Sequence, residues 1–325
     1  MLPTPPALRP VRRALRRLRD RARRAAIVLL YHRVAEVEPD PWSLCVAPAH
    51  FEEQMAVLAA RGDVGTLGDL SAAVAAGRRP PHRVVVTFDD GYADVAETAL
   101  PTLERAGIPA TLFVTTGGLG GAREFWWDTL ERCVLSPEAL PADLTLAIGG
   151  RVHEVRTVTV PRAELHDQLH GLLGHAAAWE RETALRALAS AIGIERMVRP
   201  THRRLSATDV RTLGRHALVT LGAHSVSHPY LSALAPDEQA REIGEGRRFL
   251  QALTGVPVLD FSYPHGDHDV ETVRLVRQAG FRSACGTQCE TAWSGSEPYA
   301  IPRIEVPDLD GEGFARWLTE WVGAA

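Results

Sequence analysis

Seven short apolar or β-branched segments punctuate the chain, at residues 26–31, 84–88, 110–114, 218–222, 258–263, 281–285 and 299–304, with helical patterns between most of them. That alternation limits the fold more than any other feature. Strands separated by helices are joined by crossovers, so they run parallel, and the crossovers are right-handed. The helical patterns include 49–61, 93–106, 236–253 and 269–279. The third begins after Pro236 with Asp237 and Glu238 in its first turn, where the helix dipole favours acids, and the last two end near Gly255 and Gly280. Seven such strands predict an α/β barrel more than an open sheet.

Residues 123–205 interrupt the rhythm. They open with Phe125-Trp126-Trp127, pass a hairpin expected around Gly149-Gly150, and continue into a long helical stretch near 162–193. The stretch reads as a lid or insertion between barrel strands, placed where it shapes a cleft without disturbing the core. The expected layout is thus a basic arm over 1–25 and a barrel over 26–322 that carries the insertion.

Charge separates these parts. All 36 basic residues are arginine, set against 40 acidic ones. Nine arginines and one aspartate before residue 25 give the opening segment a charge of +8, which leaves −12 on the remainder of a chain whose net charge is −4. A body that acidic argues against nucleic acid as a partner, because polyanion binding needs a basic groove on the folded domain. Leu8, Val11, Leu15, Leu18 and Ala22 form one apolar stripe over 7–25, so the arm suits either peripheral contact with an anionic membrane surface or a solvated, partly disordered state. The apolar run at 25–31 is too short for an export signal or a spanning helix, and the expected location is cytoplasmic, with membrane association through the arm. Cys45, Cys133, Cys285 and Cys289 form no C-x-x-C pair and read as buried thiols.

The chemistry gathers at predicted strand ends. Val84–Phe88 runs into Asp89-Asp90-Gly91-Tyr92, and in a parallel barrel the carboxyl ends of strands carry the active groups. Adjacent side chains leave a strand in different directions, so one carboxylate can hold a metal while the other faces a substrate water; alone, the segment could equally be a capped turn. After the strand at 218–222 come His224 and His228, four residues apart, which one helical turn or a tight loop would aim at one point. Two histidines and one carboxylate make a three-ligand site with room for water, as in catalytic metal centres. The strand at 258–263 ends at Tyr263-Pro264-His265, and the first strand ends at Tyr31-His32. His166, His170 and His175 sit on the long insertion helix with no carboxylate motif and read as a solvated face. Asp308 and Asp310 read as a turn and helix cap.

These motifs resemble those of the polysaccharide deacetylase family, also called the NodB-homology or carbohydrate esterase family 4 domain. Thr87-Phe88-Asp89-Asp90-Gly91 is similar to its first motif and His224-Ser225-Val226-Ser227-His228 to its second, in the family's order, with the likeness spanning most of 26–305. The resemblance implies a distorted (β/α)7 barrel. It makes Asp89 the general base and places one divalent ion, zinc expected, on Asp90, His224 and His228. The backbone N–H of His265, after Pro264, would be the oxyanion donor. Two features depart from the family pattern. Many members have an arginine where Ser262 stands, and Arg303 is expected to supply that guanidinium from another strand end. Many also have a late Leu-x-His that supplies the general acid; here His32 on the first strand fits that role, as in the branch resembling poly-N-acetylglucosamine deacetylases. The implied activity is removal of N-acetyl groups from N-acetylhexosamine units of a glycan, with Trp126, Trp127 and Tyr263 available to stack on sugar faces. Two other readings stand beside it: hydrolysis of another acyl or non-peptide C–N bond on a small molecule, and a catalytically silent glycan-binding protein.

Overall fold

The computed structural model describes residues 25–121 and 123–322, so the basic arm lies outside the described residues. Each expected segment yields a strand: β1 (Ile27–Tyr31), β2 (Val84–Phe88), β3 (Ala110–Val114), β4 (Val219–Ala223), β5 (Asp260–Ser262), β6 (Ser283–Cys285) and β7 (Ile304–Glu305). All their pairings are parallel, in the order β6-β5-β4-β3-β2-β1-β7. The last strand is later and shorter than the expected 299–304. Ile301 first bridges in parallel to Cys285 of β6, and only past Pro302 does Ile304 pair with Leu29 of β1. Proline offers no N–H, so the ladder breaks there. The broken segment nevertheless ties one edge of the sheet to the other, and the sheet curls into a distorted (β/α)7 barrel. A short strand, Val64–Gly65, adds a parallel pairing to β2 that the alternation did not reveal.

Period-two alternation along each strand decides which side chains enter the barrel. Ile27, Leu29, Tyr31, Val84, Val86 and Phe88 join the large cluster with the surrounding helices, whereas Val28, Val85, Phe113 and Cys285 form a second cluster with Leu67, Leu70 and Val74 of the helix Leu67–Ala75. Continuing that second set two residues at a time leads from Val28 to His32, from Val85 to Asp89 and from Ile301 to Arg303. The same parity that fills the lower barrel therefore carries the polar groups to its upper mouth.

The expected helices form at Pro48–Arg61, Pro236–Thr254 and Val270–Gln278, the first two with proline at the start and a left-handed glycine at the end, Gly62 and Gly255. The 93–106 pattern holds a π-helical turn, Val95–Ala99, before Leu100–Ala106. Pro101 cannot donate to the carbonyl four residues back, which loosens the preceding turn. Asp310 accepts from the N–H of Gly313 and caps the helix Gly311–Val322, while Asp308 accepts from Ala47 N–H and pairs with His50.

The stretch after β3 builds a cluster of its own. Strands Asp143–Ile148 and Arg151–Arg156 form the expected hairpin, and Leu144, Leu146 and Ile148 alternate inward against Leu165, Leu169 and Leu173. The helical stretch near 162–193 is two helices, Arg162–Gly174 and Ala178–Ala191. The N–H of Tyr230 takes the Gly174 carbonyl that a continuous helix would have used, a tertiary contact invisible in the local pattern. The reading of His166 and His170 as a solvated face is corrected: both are buried, on the side shared with Leu169 and Leu173, and only His175 faces outward. The cysteine reading is corrected in part. Cys133 and Cys285 are buried, Cys45 is half-buried and Cys289 is exposed. Among the described residues no helix is long and apolar enough to cross a membrane.

Gly222 of β4 shows how tightly the barrel interior is filled. It pairs with Phe113, and a Cβ there would lie 2.3 Å from the Phe113 ring and 3.0 Å from the Asp260 carbonyl oxygen. The Gly222→Val variant is expected to lose about 1–3 kcal/mol through overpacking, measured by urea denaturation. Wild-type stability in that variant would mean that Phe113 has room to move.

Candidate functional site

Asp89 and Asp90 leave the end of β2 in different directions because the chain turns sharply between them. Asp90 adopts a left-handed conformation (φ 69°), fixed where its carbonyl accepts from Thr115 N–H. Asp89 keeps the inward parity of β2 and meets Arg303. The guanidinium grips both carboxylate oxygens, at 2.7 and 2.6 Å, and also donates to Ser262 Oγ at 2.6 Å, to Thr87 Oγ1 and to the Gly286 carbonyl. Ser262 Oγ in turn donates to Asp89 Oδ2 at 3.0 Å. Burial by itself would raise the Asp89 carboxyl; the Arg303 charge, then His224, outweigh it and hold the group well below the usual carboxylate range. Asp89 is thus an oriented carboxylate.

The two histidines occupy a tight loop after β4 and not a helical turn. Ser225 (φ 62°) and His228 (φ 56°) are both left-handed, a conformation that costs of order 1–3 kcal/mol in non-glycine residues. Glu242, on the helix Pro236–Thr254, offsets that cost by accepting from the N–H groups of Val226 and Ser227 and from Ser227 Oγ, and Ser225 Oγ accepts from His228 N–H. No local sequence signal linked Glu242 to the loop.

The loop brings three ligand atoms together. His224 Nε2 and His228 Nε2 stand 3.2 Å apart, and Asp90 Oδ1 lies 3.5 Å from the first and 3.4 Å from the second. A tetrahedral ion with bonds of about 2.0–2.1 Å has ligand-to-ligand edges of roughly 3.3 Å, so the spacing suits a small divalent cation. His224 Nδ1 lies 2.8 Å from the Ser262 carbonyl, which fixes the ring and turns Nε2 towards Asp90. Burial, with His265 and His224 alongside, pushes His228 well below its ordinary value and keeps it neutral, as a ligand must be. His228 Nδ1 is buried without a hydrogen-bond partner, and packing against Trp127 and His265 holds the ring instead.

The remaining candidates surround this triad. Asp89, Asp90, His224, His228, Arg303, His32, His265, Tyr263 and Trp127 all line one cleft of about 530 Å³. His32 stands on its rim, 3.9 Å from Glu305 of β7. Pro264 lies buried beneath, in the turn where His265 is left-handed (φ 57°), and the His265 N–H has no acceptor among the described residues. Tyr263 is fully buried, donates to the Tyr299 carbonyl and stacks on His268. Trp127 donates to Tyr92 Oη at 2.7 Å, and that hydroxyl bonds Asp128, whose carboxyl burial raises to about 8. Trp126 does not line the cleft; it lies buried behind it against His170 and directs its N–H at the His228 carbonyl. Sequence reasoning missed the bridging role of Ser262, and it missed Trp42 and His170, which also line the cleft.

Comparison with known proteins agrees with the barrel fold. The sequence profile described as Polysaccharide deacetylase matches residues 76–140 and 194–284. YxkH of Bacillus subtilis (strain 168), which carries a provisional polysaccharide deacetylase name, is 19% identical over 294 residues, covering 90% of this chain and 75% of its own length. Among solved structures, the Streptococcus pyogenes deacetylase PplD in complex with acetate superimposes with a TM-score of 0.58 at 16% identity, covering 90% of this chain and 97% of that one. IcaB from Ammonifex degensii gives 0.59 at 18% identity, covering 92% and 97%. With both motifs on the mouth of a seven-stranded parallel barrel, the chain belongs to the polysaccharide deacetylase family, that of the NodB-homology or carbohydrate esterase family 4 domain.

Proposed function

We propose that this protein is a metal-dependent hydrolase that removes N-acetyl groups from N-acetylhexosamine units of an oligo- or polysaccharide. The observation that carries the reading is the convergence of Asp90, His224 and His228 beside an Asp89 whose two oxygens are already oriented by Arg303 and Ser262. A divalent ion held by the three ligands, with zinc expected, would polarise the acetamido carbonyl and acidify a water towards a pKa of about 7.

The chain's own residues would do the rest. Asp89 accepts the water's proton; its depressed pKa keeps it ionised and makes it a weak base, which suits it to a water already acidified. The free N–H of His265 donates to the oxygen that becomes negative as the carbonyl carbon turns tetrahedral. His32, on the rim of the cleft, delivers a proton to the departing amine. Acetate and a free amino sugar leave. The role of the arm in membrane contact belongs to the same proposal: a glycan attached to lipid would be presented at that surface.

Three outcomes test it. Reconstituted with zinc, the protein should release acetate from N-acetylglucosamine oligomers; release only from unrelated acylated small molecules would redirect the assignment. Asp90→Ala should lose both metal and turnover, whereas Asp89→Asn should keep the metal and lose turnover by about 10²–10⁴-fold. Equal metal loss in the two, by elemental analysis, would show that their roles are misassigned. Arg303→Met should destabilise the fold by about 3–5 kcal/mol, because it strands a buried carboxylate. Adding Asp89→Asn should recover part of that loss in a double-mutant cycle, and strict additivity would deny the coupling.

A further inference from the structure

The deacetylation chemistry uses the floor of the cleft and leaves one wall unexplained. That wall is made by His170, on the helix Arg162–Gly174, and by Trp42, in the loop before Cys45. Neither residue falls within the segments 76–140 and 194–284 that match the family profile, so neither belongs to the two motifs. The rings are contiguous with the site. His228 contacts His265 at 4.4 Å between centroids, His265 contacts His170 at 5.6 Å, and His170 contacts Trp42 at 4.6 Å.

Two features of the wall ask for a ligand. Trp42 is a large apolar ring with 37% of its surface exposed, and His170 lines the cleft with no hydrogen bond to either ring nitrogen among the described residues. Burial, with His166 close by, holds His170 down to about 4, so at neutral pH its ring offers one donor and one acceptor. Hydroxyl groups match that pair, and an indole face suits the C–H face of a pyranose. The wall itself offers an anionic ring no positive charge. The guanidinium that lines the cleft, Arg303, is already committed to Asp89, and Glu305 on the rim would repel it. The volume of about 530 Å³ lies in the range of roughly 300–1,000 Å³ that encloses most of a ligand larger than one acetamido sugar.

We propose that Trp42 and His170 form a second sugar position, which holds an uncharged, hydroxyl-bearing ring next to the one being deacetylated, so that linked sugars are preferred over a single N-acetylhexosamine. This inference rests on the deacetylase reading above and adds the length and charge of the substrate to it.

The test uses the full chain loaded with zinc, after zinc content and melting temperature have been checked for Trp42→Ala, His170→Ala and His170→Gln. Acetate release is measured on N-acetylglucosamine and its dimer to pentamer, and binding of the same sugars by calorimetry. Wild type should gain kcat/KM from monomer to trimer. Trp42→Ala and His170→Ala should flatten that gain, with KM for the trimer rising roughly five- to tenfold and kcat falling far less, as expected for one lost ring contact. His170→Gln, which keeps a donor and an acceptor, should recover part of it. Loss of equal size on monomer and trimer, or no loss in either alanine variant, overturns the subsite. Because Trp42 is partly exposed, its variant decides the matter even if a change at His170 impairs folding. Oligomers that bind wild type in a Trp42-dependent way without releasing acetate would uphold the subsite and sink the deacetylase reading; absence of both binding and release would sink both.

Discussion

The buried pair of Asp89 and Arg303 is the contact around which the site is arranged. Taking a carboxylate and a guanidinium out of water costs several kcal/mol for each ion, and attraction offsets this only if geometry is excellent and the leftover hydrogen bonds are filled. Here they are filled: the guanidinium reaches both oxygens of Asp89, Ser262 Oγ, Thr87 Oγ1 and the Gly286 carbonyl. Those partners come from β2, from β5 and from the turn after β6, while Arg303 itself sits on the broken segment that closes the barrel. One ion pair thereby stitches the seam of the sheet and orients the carboxylate beside Asp90, His224 and His228.

A neighbouring substitution in sequence space makes this arrangement understandable. Where many relatives are expected to carry arginine, this chain has Ser262, whose small side chain leaves space for Arg303 to arrive from across the barrel and still donates to the same carboxylate. Ser262 serves the other half of the site as well, since its carbonyl fixes His224. Gly222 does a related job below, leaving room for Phe113, whose ring lies 5.4 Å from the Arg303 guanidinium.

The stretch between β3 and β4 supplies Trp127 and His170 to the mouth of the barrel. Its hairpin and helices form an apolar cluster that includes Trp126 and Trp127, so the packing of that cluster sets the aromatic residues framing His228. Arg199 ties that stretch together by donating to Glu124 and Glu131. Residues from both apolar clusters and from the strand ends therefore meet in one cleft.

The sequence by itself determined the local and periodic features. Seven apolar segments, their parallel order, the proline and glycine helix ends, and the paired motifs around Asp89-Asp90 and His224–His228 were legible because each depends on residues close together in the chain. Arg303 and His32 were reached through the family resemblance, and strand parity agrees in carrying both to the mouth. Only the tertiary structure decided the features that join distant segments: Glu242 bracing the histidine loop, Ser262 serving two residues at once, Tyr230 ending the helix at Gly174, and the burial of His166 and His170. Such contacts depend on which surfaces face each other after the chain has closed, and no spacing along a single strand or helix encodes that.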